Sequence, residues 1–158
     1  MNGLNRILVV SMCTRHCLKA VHWGVSLAKN YNAELFVIHI MHNPFGLEGW
    51  NLPVSSIKTL EEEYASMTRK AKKALDQYIR SEDTAGLSIE EKIIEGVPRD
   101  AITNFIKEKH IDLMIMVAHE QERVEHLISG REIHDLVRKM PCSMLLVRRE
   151  LEYEHQRT

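Results

Sequence analysis

Short and nearly continuous apolar runs alternate along the chain with segments whose apolar residues recur at helical spacing. The apolar runs are "RILVVSM" (6–12), "AELFVIHIM" (33–41), "IDLMIMVA" (111–118) and "CSMLLVR" (142–148). Runs of this length are typical of strands that are buried on both faces of a sheet. A fifth segment, "GLSIEEKIIEG" (86–96), mixes an apolar pair with charges, so we expect a less buried outer strand there.

Four helices are predicted between these strands. Thr14 can cap the first helix, and the second is long and amphipathic, with Met67 on its apolar face. Pro98 suits the first turn of the third helix, and Pro141 ends the fourth. The predicted bounds are 14–30 and 55–81, then a third helix from Pro98, and 130–140.

The alternation of strands and helices predicts an α/β fold in which right-handed crossovers build a five-stranded parallel sheet with helices on both faces. We expect a single domain over residues 1–150 and a flexible tail over residues 151–158. Ligands of such sheets bind beyond the carboxyl ends of the strands, where the strand order reverses. Residues 11–14 and 117–131 are therefore expected to lie on one rim.

Composition narrows the class of protein further. The chain has 21 Lys and Arg against 22 Asp and Glu, so it lacks the basic excess that drives nucleic-acid binding. No apolar segment reaches 18 residues, and the start of the chain is polar, so we expect neither a membrane partner nor export. Cys13, Cys17 and Cys142 lack disulfide or zinc spacing, which fits a reducing compartment. We expect a cytoplasmic protein.

Four segments, taken in order and spacing, resemble the universal stress protein family. They are "RILVV", "HCLKAVHWGVSLAKNYNAELFVIHI", "EGVPRDAITNFIKEKHIDLMIM" and "MPCSMLLVRR". The resemblance runs from about Arg6 to Arg149 and implies a Rossmann-like fold of the adenine nucleotide alpha hydrolase type. It also implies a homodimer in which the last strands pair through Ser143, Met144, Leu145, Leu146 and Val147. Such pairing would cover an apolar edge strand that otherwise promotes aggregation.

The same resemblance implies where a nucleotide would lie. In members that bind ATP, an Asp ends the first strand, and a loop follows the fourth strand with the pattern Gly, two residues, Gly, nine residues, Gly and Ser or Thr. Backbone N–H groups approach the phosphates at these glycines. The equivalent positions in this chain are Val10, Ser11, Met12, Ile40, Met116, Val117, Glu120, Gly130, Arg131, Glu132 and Ile133.

Several of these positions depart from the binding pattern. Met12 replaces the Asp, and it neither carries charge nor accepts hydrogen bonds well. Val117 and Glu120 replace the first two glycines, and a β-branched residue tolerates positive φ poorly. The nine-residue spacing to Gly130 is kept, but Arg131 replaces the hydroxyl residue. We therefore expect no cofactor, with ATP as the alternative.

The charges of this stretch favour the same expectation. Four carboxylates and two arginines lie between Val117 and Glu132, a formal local charge of −2 with His neutral. Like charges at close range cost on the order of 1 kcal/mol or more, so a triphosphate would be repelled. Ser129 and Glu132 also have the spacing of a capping box, which would satisfy the N–H groups of the fourth helix. Arg131 favours the alternative, because an arginine at a helix N-terminus can bind phosphate.

Other chemistry has less support in the sequence. Cys13 and Cys17 lie where the first helix starts, a place that favours a reactive thiolate and hence a redox switch, but simple packing is the favoured interpretation. The histidines lack the spacing of a metallohydrolase helix, so no metal site is expected, and His119 on the rim is the residue to test. No catalytic residue can be assigned, and slow ATP hydrolysis is the only enzymatic alternative.

The sequence therefore predicts a stress-response or regulatory protein that acts through contacts with other proteins as a homodimer. The main alternative is a universal stress protein that binds ATP, AMP or another anion at the rim around Gly130 and Arg131. The pathway and the protein partner are not encoded in any motif that we recognise.

Overall fold

The computed structural model describes residues 3–11, 17–41, 54–118, 130–139 and 141–148, with side chains except at 54–57, 118 and 130–133. The elements are β1 (Arg6–Ser11), α1 (Cys17–Tyr31), β2 (Glu34–Met41), α2 (Val54–Arg80), β3 (Ile89–Glu95), α3 (Pro98–Lys109), β4 (Leu113–Ala118), α4 (Gly130–Lys139) and β5 (Ser143–Arg148). This order confirms the predicted alternation. The proposed cap at Thr14 and the tail after residue 150 lie outside the described residues.

The strands form one parallel sheet in the order β3-β2-β1-β4-β5, which confirms the predicted fold class. The order reverses between β1 and β4, because the chain first builds outward to β3 and then returns to the other side of β1. The outer strand β3 is shorter than predicted. It lies between Gly86 and Gly96, whose φ values of 77° and 147° mark turns and not strand.

Two hydrophobic cores lie on opposite faces of the sheet. One core joins α1 and α2 to the sheet through residues such as Val21, Leu75 and Val9. The other joins α3 and α4 to it through residues such as Phe105 and Leu136. Helices therefore pack on both faces of the sheet, which confirms the prediction. No helix among the described residues is long and apolar enough to cross a membrane.

One residue predicted to lie on an apolar helix face is exposed. Met67 on α2 is 51% exposed. The helix α2 has 27 residues and is about 40 Å long, whereas the neighbouring β3 spans only about 23 Å. The sheet therefore cannot cover the whole apolar stripe of α2, and the prediction for Met67 was wrong.

The amino ends of β1 and β4 are joined by one carboxylate. Oδ2 of Asp112 accepts the backbone N–H groups of Asn5 and Arg6, each at 2.9 Å. The backbone N–H of Asp112 in turn donates to the carbonyl of Arg6 at 3.0 Å. These bonds hold the first residue of β1 beside the start of β4, the point at which the strand order reverses.

Helix α1 packs on one face of the sheet and approaches β1 closely at Gly24. A Cβ atom at this position would lie 2.5 Å from Cγ2 of Val9 and 3.2 Å from Cδ1 of Leu35. Both neighbours are fully buried and cannot move without disturbing the core. The absence of a side chain at Gly24 therefore sets how near α1 lies to β1.

Substitution of Gly24 by Ala is expected to lower the free energy of unfolding by about 1–3 kcal/mol, because overpacking outweighs the gain in helix propensity of about 1 kcal/mol. Urea unfolding of the wild type and the variant measures the difference. Ser26→Ala is the matched control, because Ser26 is a half-buried residue of the same helix. This substitution should be neutral or stabilising. A stabilising Gly24→Ala would contradict the close approach.

Substitution of Asp112 by Ala is expected to cost about 1–2 kcal/mol, because two backbone N–H groups lose their acceptor. Asp112→Asn keeps one side-chain oxygen and should cost less. Urea unfolding of both variants separates the hydrogen bonds from the general effect of substitution. Equal losses in the two variants would argue against the carboxylate clamp.

Candidate functional site

The carboxyl edge of the sheet between β1 and β4 is the place where this fold offers a ligand site. The two strands are adjacent and parallel, with Ile7 opposite Leu113 and Val9 opposite Ile115. Their last residues, Ser11 and Ala118, therefore end on the same edge. The predicted rim residues Ser11 and Val117 are both located there, whereas residues 12–14 and 119–129 lie outside the described residues.

Five of the family-equivalent positions fall on the described strand ends, and their side chains are buried. The exposed fractions are 1% for Val10, 1% for Ser11, 8% for Ile40, 1% for Met116 and 2% for Val117. Val10, Ile40 and Met116 belong to the core beneath α3 and α4, and Val117 belongs to the opposite core. These side chains therefore contribute to packing at the end of the sheet.

Val117 is the residue at which the structure bears most directly on nucleotide binding. It lies within β4, pairs with Val147 of β5, and is not among the described residues with positive φ. A glycine in a phosphate-binding loop provides positive φ and room for a backbone N–H to approach an oxygen atom. At this position the chain instead has extended backbone and a packed, β-branched side chain.

His39 of β2 is a buried polar residue at the same edge, and the sequence did not mark it as part of the site. Its Nδ1–H donates to the carbonyl of Ser11 at 2.8 Å, and its side chain is 6% exposed. Desolvation lowers the pKa of His39, and the hydrogen bond to Ser11 opposes this shift in part. A neutral imidazole thus holds the last carbonyl of β1. The only signal in the sequence was a histidine within an otherwise apolar run.

The start of α4 contains the remaining described positions of the candidate site. Gly130 is the first residue of the helix, followed by Arg131, Glu132 and Ile133, so Arg131 lies at the helix N-terminus as predicted. Positive backbone charge at that end favours an anion. Met12, Glu120 and Ser129 lie outside the described residues, so the proposed capping box stays a prediction.

The structure also bears on the redox hypothesis for the cysteines and on the metal hypothesis for the histidines. Cys17 is the first residue of α1 and is fully buried in a hydrophobic core, which agrees with the packing interpretation. Burial raises the pKa of the Cys142 thiol. Within the described residues, no group of three His, Cys, Asp or Glu side chains could hold a metal ion. Cys13 and His119 lie outside those residues.

Strand order and element order together define an α/β protein with a parallel sheet, whose candidate ligand edge lies between β1 and β4. A model of the family described as "Universal stress protein family" matches residues 3–148 of the chain. The chain belongs to the universal stress protein family.

Individual relatives agree with this assignment. The chain is 28% identical over 137 residues to universal stress protein MJ0531 of Methanocaldococcus jannaschii, covering 84% of this chain and 75% of that protein. The solved structure of MJ0577, from the same organism, superimposes with a TM-score of 0.72 at 16% identity and covers 96% of this chain and all of that one. A universal stress protein solved in complex with cAMP superimposes with a TM-score of 0.60 at 16% identity, covering 93% and 98% of the two chains.

The buried state of His39 predicts a pH dependence of stability. The free energy of unfolding should fall as the pH is lowered through about 6.5, because the unfolded chain then binds a proton on His39 that the folded chain, with its lowered pKa, does not yet bind. Urea unfolding at pH 7.5 and at more acidic values measures this slope.

His39→Asn should reduce the slope, since it removes the titrating group. His22→Gln is the matched control, because His22 is exposed and pairs with Glu82 at 3.0 Å on the protein surface. Loss of the slope in the His22 variant, with the slope retained in the His39 variant, would contradict this assignment.

Proposed function

We propose that this universal stress protein is a cytoplasmic regulatory protein of the stress response, which acts through protein contacts as a homodimer and does not hold ATP in the usual way. We also propose that residues 1–150 form a single domain. The observation that supports the loss of ATP binding is the packed, extended Val117 at the carboxyl edge of β4. The homodimer is supported by β5, since no described strand pairs with its outer edge.

Nucleotide binding at this edge would require space and donors that the described strand ends do not offer. A phosphate that approached the backbone at Val117 would displace a side chain from a hydrophobic core, which costs transfer free energy and packing. Met12 provides no charge for an adenosine contact, and Glu120 adds repulsion near the phosphates. Each change opposes the usual mode of binding, and together they support its loss.

Dimer formation is supported by the surface around β5. This strand pairs with β4 along one edge, and no described strand pairs with its other edge. Leu146 is 44% exposed on the face of α3 and α4, and Val137 of α4 is 38% exposed. An unpaired apolar edge strand is a template for pairing with another chain. A second copy could extend the sheet and cover both residues about a twofold axis.

The alternative function is binding of ATP, AMP or another anion at the N-terminus of α4 through Gly130 and Arg131. The helix start and its arginine favour this alternative. The relative solved with cAMP makes an adenine nucleotide the natural ligand to test. Slow ATP hydrolysis would require a base or a metal ligand, and we assign neither.

Thermal unfolding with and without ATP and Mg²⁺ tests the two functions against each other. We expect no rise in melting temperature for the wild type, because a ligand stabilises only a folded state that binds it. Arg131→Ala is the matched variant. A clear upward shift in the wild type that Arg131→Ala abolishes would establish the alternative and refute the proposal.

Leu146→Glu is expected to convert the dimer into a monomer, because the introduced carboxylate would be desolvated at the seam without a partner. Sedimentation equilibrium at micromolar concentration measures the mass. Met67→Glu is the control, since Met67 is similarly exposed but lies on α2, which packs on β2 and β3 on the far side of the sheet. A monomeric wild type would refute strand pairing as a stable interface.

A further inference from the structure

An aromatic stripe runs along one flank of α1. Trp23 is 46% exposed, Leu27 is half-buried and Tyr31 is 59% exposed, and these residues follow one another at intervals of four. Residues at this spacing lie on the same side of a helix. Single exposed apolar residues are common on protein surfaces, but two large aromatic residues in line form a patch that binding would cover.

The ion pairs of α1 show which way the stripe faces. His22 pairs with Glu82 at 3.0 Å and Lys29 with Asp83 at 2.6 Å, so this side of α1 faces the end of α2. The buried residues of α1 face the sheet. At about 100° per residue, Trp23, Leu27 and Tyr31 lie on the remaining flank, which points away from α2 and toward β5.

The neighbouring face of β5 carries apolar residues, and the described helices on this side of the sheet lie over other strands. On this face of the sheet, α1 packs on β1 and β4, and α2 packs on β2 and β3. The residues of β5 that face this side include Leu145 and Val147, which belong to the same core as Leu27. Val147 is only 7% exposed and Leu145 is half-buried, so the aromatic stripe lies next to the packed edge of this core, beside β5.

We propose that the aromatic stripe of α1 is a second contact of the homodimer and packs against the same stripe of a second copy above the joined β5 strands. This inference rests on the proposed pairing of β5. Each α1 lies over β1 and β4, so the two α1 axes of the joined sheet would be four strand spacings apart. With strands about 4.8 Å apart, this separation is about 19 Å. Helices in direct contact lie about 8–10 Å apart, so a trough would remain that only long side chains can close. Trp23 and Tyr31 are such side chains, and twofold symmetry supplies them from both walls.

The test measures the dissociation constant of the full chain by sedimentation equilibrium. Trp23→Ala is expected to weaken the dimer about tenfold or more, because a large aromatic side chain in an interface contributes strongly to affinity. Met67→Ala is the matched control, an equally exposed apolar residue on α2, and should leave the constant unchanged.

A second measurement follows Trp23 directly. In the Trp50→Phe variant, Trp23 is the only tryptophan, and its fluorescence should shift to the red as dilution dissociates the dimer. A dimer that Leu146→Glu breaks but Trp23→Ala leaves unchanged, with Trp23 emitting as an exposed residue at every concentration, would overturn this inference and leave β5 pairing intact. A wild type that is monomeric throughout would overturn both.

Discussion

The pairing of β1 with β4 is the constraint on which the rest of the structure depends. β1 is the central strand, and Ile7, Leu8, Val9 and Val10 are at most 1% exposed. Helix α1 packs against one face of β1 at Gly24, and the Asp112 carboxylate holds the amino end of β1 beside β4. Because the strand order reverses here, both halves of the sheet are built outward from this junction, and one pair of helices packs on each face.

The same junction determines whether the carboxyl edge of the sheet can bind a ligand. An order reversal brings two strand ends together without a crossover between them, which leaves room for a ligand in many α/β proteins. In this chain, Val10, Met116 and Val117 are packed into the cores at that point, and His39 binds the last carbonyl of β1. Hydrophobic packing and one buried hydrogen bond thus stabilise an edge that could otherwise serve a nucleotide. The proposed loss of ATP binding and the stability of this edge have the same physical origin.

The fold was predictable from the sequence because each strand is a short apolar run and the helices carry a regular apolar stripe. The outer place of β3 was also predictable, since "IEEKIIE" carries charges that a central strand could not bury. Exposure of Met67 was not, because periodicity gives the direction of a side chain but not the length of sheet beneath it. The bond from His39 to Ser11 joins two strands that are 28 residues apart in sequence, and no local pattern encodes such a contact. The position of Arg131 at the start of α4 was predicted correctly, but whether it binds an anion depends on tertiary geometry.

Native mass spectrometry of the purified protein reports the number of chains and any retained ligand in one spectrum. We expect a dimer whose mass equals that of two bare chains, also after incubation with ATP and Mg²⁺. A species that carries one nucleotide per chain would contradict the proposed loss of the nucleotide site, and a single chain at micromolar concentration would contradict the dimer.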